Sequence, residues 1–290
     1  MNMRLFGLLP RFYYLNPRWL YLAVTIVLII PLCVTIAIPK LKASVGPRGL
    51  YEMAGQCPDD KVILIDSSWD LGSKPECMAQ LECFVKDLCK RKKKFVVLST
   101  ALYAPTFAQQ VILPIVEAAK EKYGKEYVYG EDWVNLGFIK PPADNQGLLI
   151  DAFCRDIHKT RDVDINRQKI AELPLMQKVR NAGDLHMVFA INYAPPQEWM
   201  SFGKSQHGLQ VAFGSASIMG PYYLNFLDSG QLGGLLAGNR GACEYESLTG
   251  IPGLGSKVMM SFAFGVCLII SAVILGNAGY WASRRQRSAA

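Results

Sequence analysis

Histidine is nearly missing from this sequence. Only His158, His186 and His207 occur, no two at a metal-ligand spacing, and no Cys-x-x-Cys occurs at all. The pattern therefore offers no support for a zinc or iron–sulfur centre. Charge is also sparse, at 19% of residues against 51% hydrophobic, and the mean hydropathy is +0.15. That balance excludes a disordered chain and is apolar for an ordinary soluble domain. The 25 glycines and 16 prolines follow no period, which excludes collagen-like and low-complexity classes. No repeat of about 20–50 residues is present, so a solenoid is excluded as well. A Gly-x-Ser-x-Gly turn is absent. The isolated S-x-x-K spacing of Ser201-Phe202-Gly203-Lys204 does not by itself make a serine hydrolase.

Acidic residues are missing from both ends. All 24 lie between Lys40 and Ser256, together with 24 of the 31 basic residues, so that stretch has no formal net charge. Its neutrality argues against a nucleic-acid surface. The whole excess of +7 comes from Arg4, Arg11, Arg18, Lys257, Arg284, Arg285 and Arg287.

What the chain has in surplus is apolar sequence near its ends. Leu20–Pro39 and Val258–Trp281 carry no charge. A helix of ~20 such residues crosses a ~30 Å hydrocarbon core. Trp19 and Tyr21 flank the first segment and Tyr280 and Trp281 the second, where interfacial aromatics are expected. Pro31 predicts a kink in the first segment. Its apolar run is longer than a signal peptide's core of ~7–15 residues, which favours an uncleaved anchor. The lipid bilayer is thus the first expected partner. The positive-inside rule gives one basic residue before the second segment against three after it, while the first segment is balanced. The expected topology has both termini in the cytoplasm and the middle outside. The expected organisation is a basic tail (1–19), a span (20–39), a stalk (40–56), an α/β domain (57–256), a second span (257–281) and a basic tail (282–290). Ser261, Gly265, Ala272 and Gly276 fall on one stripe of the second span, where small side chains let helices approach. That stripe could serve the first span, a second copy or another membrane subunit.

Within the domain, Lys61–Asp66 and Lys94–Thr100 read as buried strands. Ser73-Lys74-Pro75-Glu76 has the form of a capping box ahead of a helix with Met78, Leu81, Val85 and Leu88 on one side. A second helix is expected over Thr106–Tyr123, bent at Pro114 and ended by Gly124. Further strands are expected at Trp133–Ile139, His186–Tyr193, Leu209–Ser215 and Leu232–Ala237. Further helices are expected at 146–158, Leu175–Arg180, Gly220–Leu227 and from Asn239-Arg240-Gly241 to Leu248. The alternation predicts a Rossmann-like three-layer α/β domain with a mostly parallel sheet. Six cysteines lie in this region, and Cys77 and Cys89 fit a core stripe. At most one disulfide is expected. The basic run Lys90–Lys94 reads as the C-terminus of a helix rather than a headgroup-binding patch.

In open parallel sheets ligands sit beyond the carboxyl ends of the strands. The polar residues expected there are Asp66, Ser68, Ser99, Asn192, Ser215 and Arg240, and they form the candidate ligand-binding set. Arg240, at a helix start after four glycines, is the member suited to a carboxylate or phosphate, because its planar fork can bond two oxygens. The competing role for Arg240 is an ion pair with Glu244, four residues later. No cofactor follows from the residues. The leading expectation is a non-catalytic ligand- or partner-binding component of a membrane assembly.

The alternative is an anchored hydrolase. Asp66 after one strand and Ser99-Thr100 after another resemble the first two motifs of the haloacid dehalogenase-like hydrolases, over some ten residues. The resemblance implies Asp66 as a phosphatase-like nucleophile. It also implies an acid two positions later, where this chain has Ser68, and a late acidic pair for magnesium, where Asp184 stands without a second acid downstream. Without them the chemistry has no proton shuttle and no phosphate clamp.

Overall fold

The structure, a computed structural model, describes residues 16–34 and 41–289, with side chains as far as residue 284. It comprises two bodies, an α/β body within residues 39–256 and a helical body at the chain ends.

The α/β body is built on six parallel strands: β1 (Val62–Ser67), β2 (Phe95–Ser99), β3 (Trp133–Phe138), β4 (Leu185–Ile191), β5 (Gln210–Ser215) and β6 (Gly234–Ala237). Their order is β3-β2-β1-β4-β5-β6, the doubly wound order. β1 is buried along its whole length, with Ile65 opposite Val97 of β2 and Phe189 of β4. Its unbroken apolar run follows from helices covering both faces of the sheet. On one face Ile63, Ile65 and Phe189 pack under α3 (Lys74–Lys90) and α4 (Ala104–Glu117); on the other, Leu64, Val96 and Val188 pack against Phe153, Trp199 and Tyr223. The shorter helices α5 (Ala119–Tyr123), α6 (Gln146–Arg155), α7 (Ile157–Thr160) and α8 (Pro174–Lys178) complete the connections between β2 and β4.

Several expectations change in detail. The helix expected over Thr106–Tyr123 is two helices, α4 and α5, with Pro114 inside the first and Gly124 left-handed at the end of the second. The capping box does not form: the Ser73 hydroxyl donates to Asp70 (2.7 Å), and the Glu76 carboxylate accepts from the Ser217 amide (2.6 Å) across the sheet edge. Three members of the basic run are engaged locally. Lys90 donates to the Thr249 carbonyl at 2.6 Å, Arg91 pairs with Asp87 at 2.8 Å and Lys93 with Asp59 at 2.7 Å. All eight cysteines are unpaired, and burial pushes the Cys77 and Cys89 thiols up to about 12.

The segment expected as a stalk contains α2 (Val45–Gly55), with Leu50, Met53 and Ala54 in the core. This helix lies against β6, the last strand in the sheet. A Cβ on Gly46 or Gly49 would run into the carbonyls of Leu235 and Gly233. Covering an edge strand with a helix hides its unpaired backbone groups, and here the cover fits only through glycine.

Past β5 and β6 lie α9 (Gly220–Asp228) and α10 (Gly238–Thr249), and the chain then enters α11 (Leu254–Ala289). The first turn of α11 belongs to the α/β body. Its free amides are met by two carboxylates: Glu82 accepts from Leu254 (2.9 Å), and Glu246 accepts from Gly255 (2.9 Å) and Ser256 (2.8 Å). Anions at these positions satisfy the orphan donors and the positive end of the helix dipole.

In the helical body, Leu254–Arg284 is the one described helix long and apolar enough to cross a membrane. The first apolar segment is the shorter helix α1 (Pro17–Cys33), 17 residues, or about 26 Å at the α-helical rise. The first span, expected over Leu20–Pro39, is therefore not established, and residues 35–39 of that segment lie outside the described residues. The small-residue stripe of α11 faces α1. The Ser261 hydroxyl donates to the Leu28 carbonyl at 2.7 Å, Gly265 lies under the Leu28 side chain, and Ala272 and Gly276 line an apolar space of about 320 Å³ with Trp19, Leu20 and Ala23.

Candidate functional site

Because all six strands are parallel, every candidate residue lies at one edge of the sheet. They form one edge but not one crevice. The doubly wound order reverses between β1 and β4, and ligands of such sheets enter at that point. Here that position is filled by protein. Asp66 is 2% exposed. One of its carboxylate oxygens accepts from the Ser68 hydroxyl, and the other from the Trp199 indole N–H at 2.8 Å. Ser68 in turn accepts from the amide (2.8 Å) and the hydroxyl (3.1 Å) of Thr100. On the opposite face of β1, Trp69 donates to the Ser67 hydroxyl at 2.7 Å and stacks on Phe107. Two tryptophans, one from the loop after β1 and one from the π-helical turn Trp199–Lys204 after β4, thus close the switch point.

Burial pushes the Asp66 carboxyl up to about 6, against the opposing pull of its hydrogen bonds from Ser68 and Trp199. The rise reflects desolvation of the charged form with no cation alongside.

The other candidates serve their own strand ends. Ser99 exchanges hydrogen bonds with the backbone of Ala101. The Asn192 amide donates to the Gly214 carbonyl at 3.0 Å, and its side chain accepts from Tyr193 at 2.7 Å. Ser215 is buried and its carbonyl accepts from Gln80 at 2.8 Å, while its hydroxyl has no partner. Only Asp66 and Ser68 touch. Arg240 follows β6, three strands from β1, or roughly 14 Å at the usual inter-strand spacing. The acid compared with a late magnesium ligand, Asp184, immediately precedes β4 and so lies at the opposite edge, where it accepts from the amides of Arg180 and Asn181. Among the described residues no group of three or more His, Cys, Asp or Glu side chains is placed to hold a metal ion.

A cavity of about 360 Å³ opens beside β6. Its walls are α2, α9, α10 and β6, with Val45, Pro47, Leu224, Leu227 and Leu235 as apolar lining. Arg240 stands at its mouth. The guanidinium Nε donates to Glu244 at 2.9 Å, so the expected ion pair is present, but the side chain remains 78% exposed. The other Glu244 oxygen accepts from the amide (2.9 Å) and hydroxyl (2.5 Å) of Ser44. Burial raises the Glu244 carboxyl, but these donors outweigh it and hold it below the usual range. Sequence reasoning found Arg240 but missed the cavity and the two tryptophan plugs. The glycines at 46 and 49 were the available signal for a close helix–strand contact at β6.

The loops at this edge also expose large apolar side chains: Leu71 after β1, Leu102 and Tyr103 after β2, Tyr193 after β4 and Ile218 after β5. Compared with known proteins, the chain matches no family model, no curated protein and no solved structure, so the fold and these side chains are what its function must be read from.

Proposed function

We propose that this chain is a membrane-anchored α/β domain that binds a ligand or partner without transforming it. In this reading two spans hold it, with both termini cytoplasmic and the domain outside. The observation that carries the binding reading is the contrast between two places on one sheet edge. At the switch point the carboxylate of the hydrolase alternative, Asp66, has both oxygens engaged and a tryptophan packed over it. Three strands away a cavity stands open with a largely exposed arginine at its mouth. The apolar side chains on the loops around this edge support an interaction surface. For the anchor, the support is the uncharged, tryptophan-flanked end segments with purely basic tails, and the entry and exit of the domain lying together beside Ser247 and Glu246 of α10.

The discriminating experiment is turnover of a phosphomonoester with magnesium by the purified full chain and by Asp66→Asn. The two should be indistinguishable from the uncatalysed rate. Magnesium-dependent turnover that Asp66→Asn abolishes would establish the hydrolase instead.

A further inference from the structure

We propose that the cavity beside β6 takes a small amphiphile with a single anionic head, a carboxylate or a phosphate, whose head meets Arg240 and whose apolar body lies along α9. The inference rests on the binding reading above and specifies its ligand class.

The volume, about 360 Å³, is at the lower end of ligand-sized pockets. Its walls are mostly aliphatic, so most of what enters must be apolar. Among the described residues three charged side chains border it: Arg240, Glu244 and Asp228. Glu244 is spent. It is buried, and its two oxygens accept three hydrogen bonds from Ser44 and Arg240. The same contact fixes Arg240 by its Nε, and among the described residues neither Nη group has an acceptor. A guanidinium held in this way presents a fork to two oxygens of one head. Its surroundings reinforce it. The first turn of α2 borders the same cavity through Val45 and Gly46, and that of α10 through Arg240. The amides of a first turn have no intrahelical acceptor and form the positive end of the helix. Asp228 lies at the other end of α9, eight residues along, or about 12 Å at the α-helical rise. The cavity therefore has a positive end and an acidic end, which gives a single-headed anion one direction of entry.

The test uses the full chain in phosphatidylcholine nanodiscs, titrated calorimetrically against empty nanodiscs. The probes are octyl phosphate, octanol and inorganic phosphate. Octyl phosphate should bind saturably, and inorganic phosphate, lacking the apolar body, at least tenfold more weakly. Arg240→Ala should weaken octyl phosphate by roughly tenfold or more, as loss of hydrogen bonds to a charged group implies. Val45→Glu gives a variant that does not depend on removing a contact. Val45 is exposed on the cavity wall at the start of α2, where a carboxylate suits the helix but repels an anionic head. It should weaken octyl phosphate to a similar extent and leave octanol unchanged. Octyl phosphate binding that neither substitution alters, or inorganic phosphate binding as tightly as octyl phosphate, would overturn the ligand class while leaving a binding domain. Asp66-dependent release of phosphate from octyl phosphate would overturn the binding reading itself.

Discussion

The buried Asp66 carboxyl makes the stability of this domain depend on pH in a direction that can be worked out. Its pKa is pushed from 3.8 to about 6 in the fold. The folded state therefore holds the proton more tightly than the unfolded chain. Stability from this group is fully present below pH 3.8 and is lost as the pH rises to about 6, after which it is flat. About two pH units at ~1.4 kcal/mol each give roughly 3 kcal/mol between the extremes. Asp66→Asn mimics the protonated form. Its carbonyl can accept from Trp199, but its NH2 meets a Ser68 oxygen that already accepts twice from Thr100. The variant should thus exceed the wild type at pH 8 by roughly 1–3 kcal/mol, allowing for that crowded hydrogen bond. For a domain of this size that is about 3–8 °C in Tm. Between pH 5 and pH 8 the gap should widen by about 1.4 kcal/mol. Comparing the two proteins at each pH cancels the other titrating carboxyls. Thermal unfolding of the full chain in a neutral detergent, followed by far-UV circular dichroism, measures it. An Asn variant less stable than the wild type at pH 8, or a gap that does not change with pH, would refute the reasoning.

Other consequences are equally open to measurement. Gly49→Ala should lower stability by roughly 1–3 kcal/mol, because the new methyl group meets the Gly233 carbonyl and α2 must lift off β6; Arg48→Ala, one position away, is the control in a thermal melt. Glu246→Ala removes the acceptor of two α11 amides and should cost about 1–3 kcal/mol, with faster amide hydrogen exchange at Gly255 and Ser256 than at the middle of α10. Thiol titration of the denatured, unreduced protein should count eight free cysteines, and a count of six or fewer would contradict the unpaired arrangement. Cysteines introduced at the two ends of the chain should resist an impermeant reagent applied outside intact cells, and labelling of either end would contradict the proposed topology.

The layering of the domain was legible from the residues because burial on both sides of a parallel sheet leaves a local mark. Lys61–Asp66 and Lys94–Thr100 hold the unbroken apolar runs Val62–Ile65 and Phe95–Leu98, and both became interior strands. Helix periodicity placed Leu81, Val85 and Leu88 on the buried side of α3 in the same way. That Asp66, Ser68, Ser99, Asn192, Ser215 and Arg240 would share an edge followed from parallel strands alone. Which of them would meet did not follow, because contact depends on strand order, and strand order is set by how crossovers pack and leaves no local pattern. The order β3-β2-β1-β4-β5-β6 separates Arg240 from Asp66 by three strands. It also brings Trp199, 133 positions away in sequence, onto the Asp66 carboxylate. The same limit applies to the chain ends. Absence of charge marked the apolar segments, and the span expected at Val258–Trp281 lies inside the long helix Leu254–Arg284, but α2 was read as a stalk. Its glycines and few apolar residues make a helix only against β6, whose carbonyls leave room for a backbone and no side chain. Local patterning determines which faces must be buried. Only the tertiary structure decides what buries them, and here that decided which polar ends were sealed and which were left open.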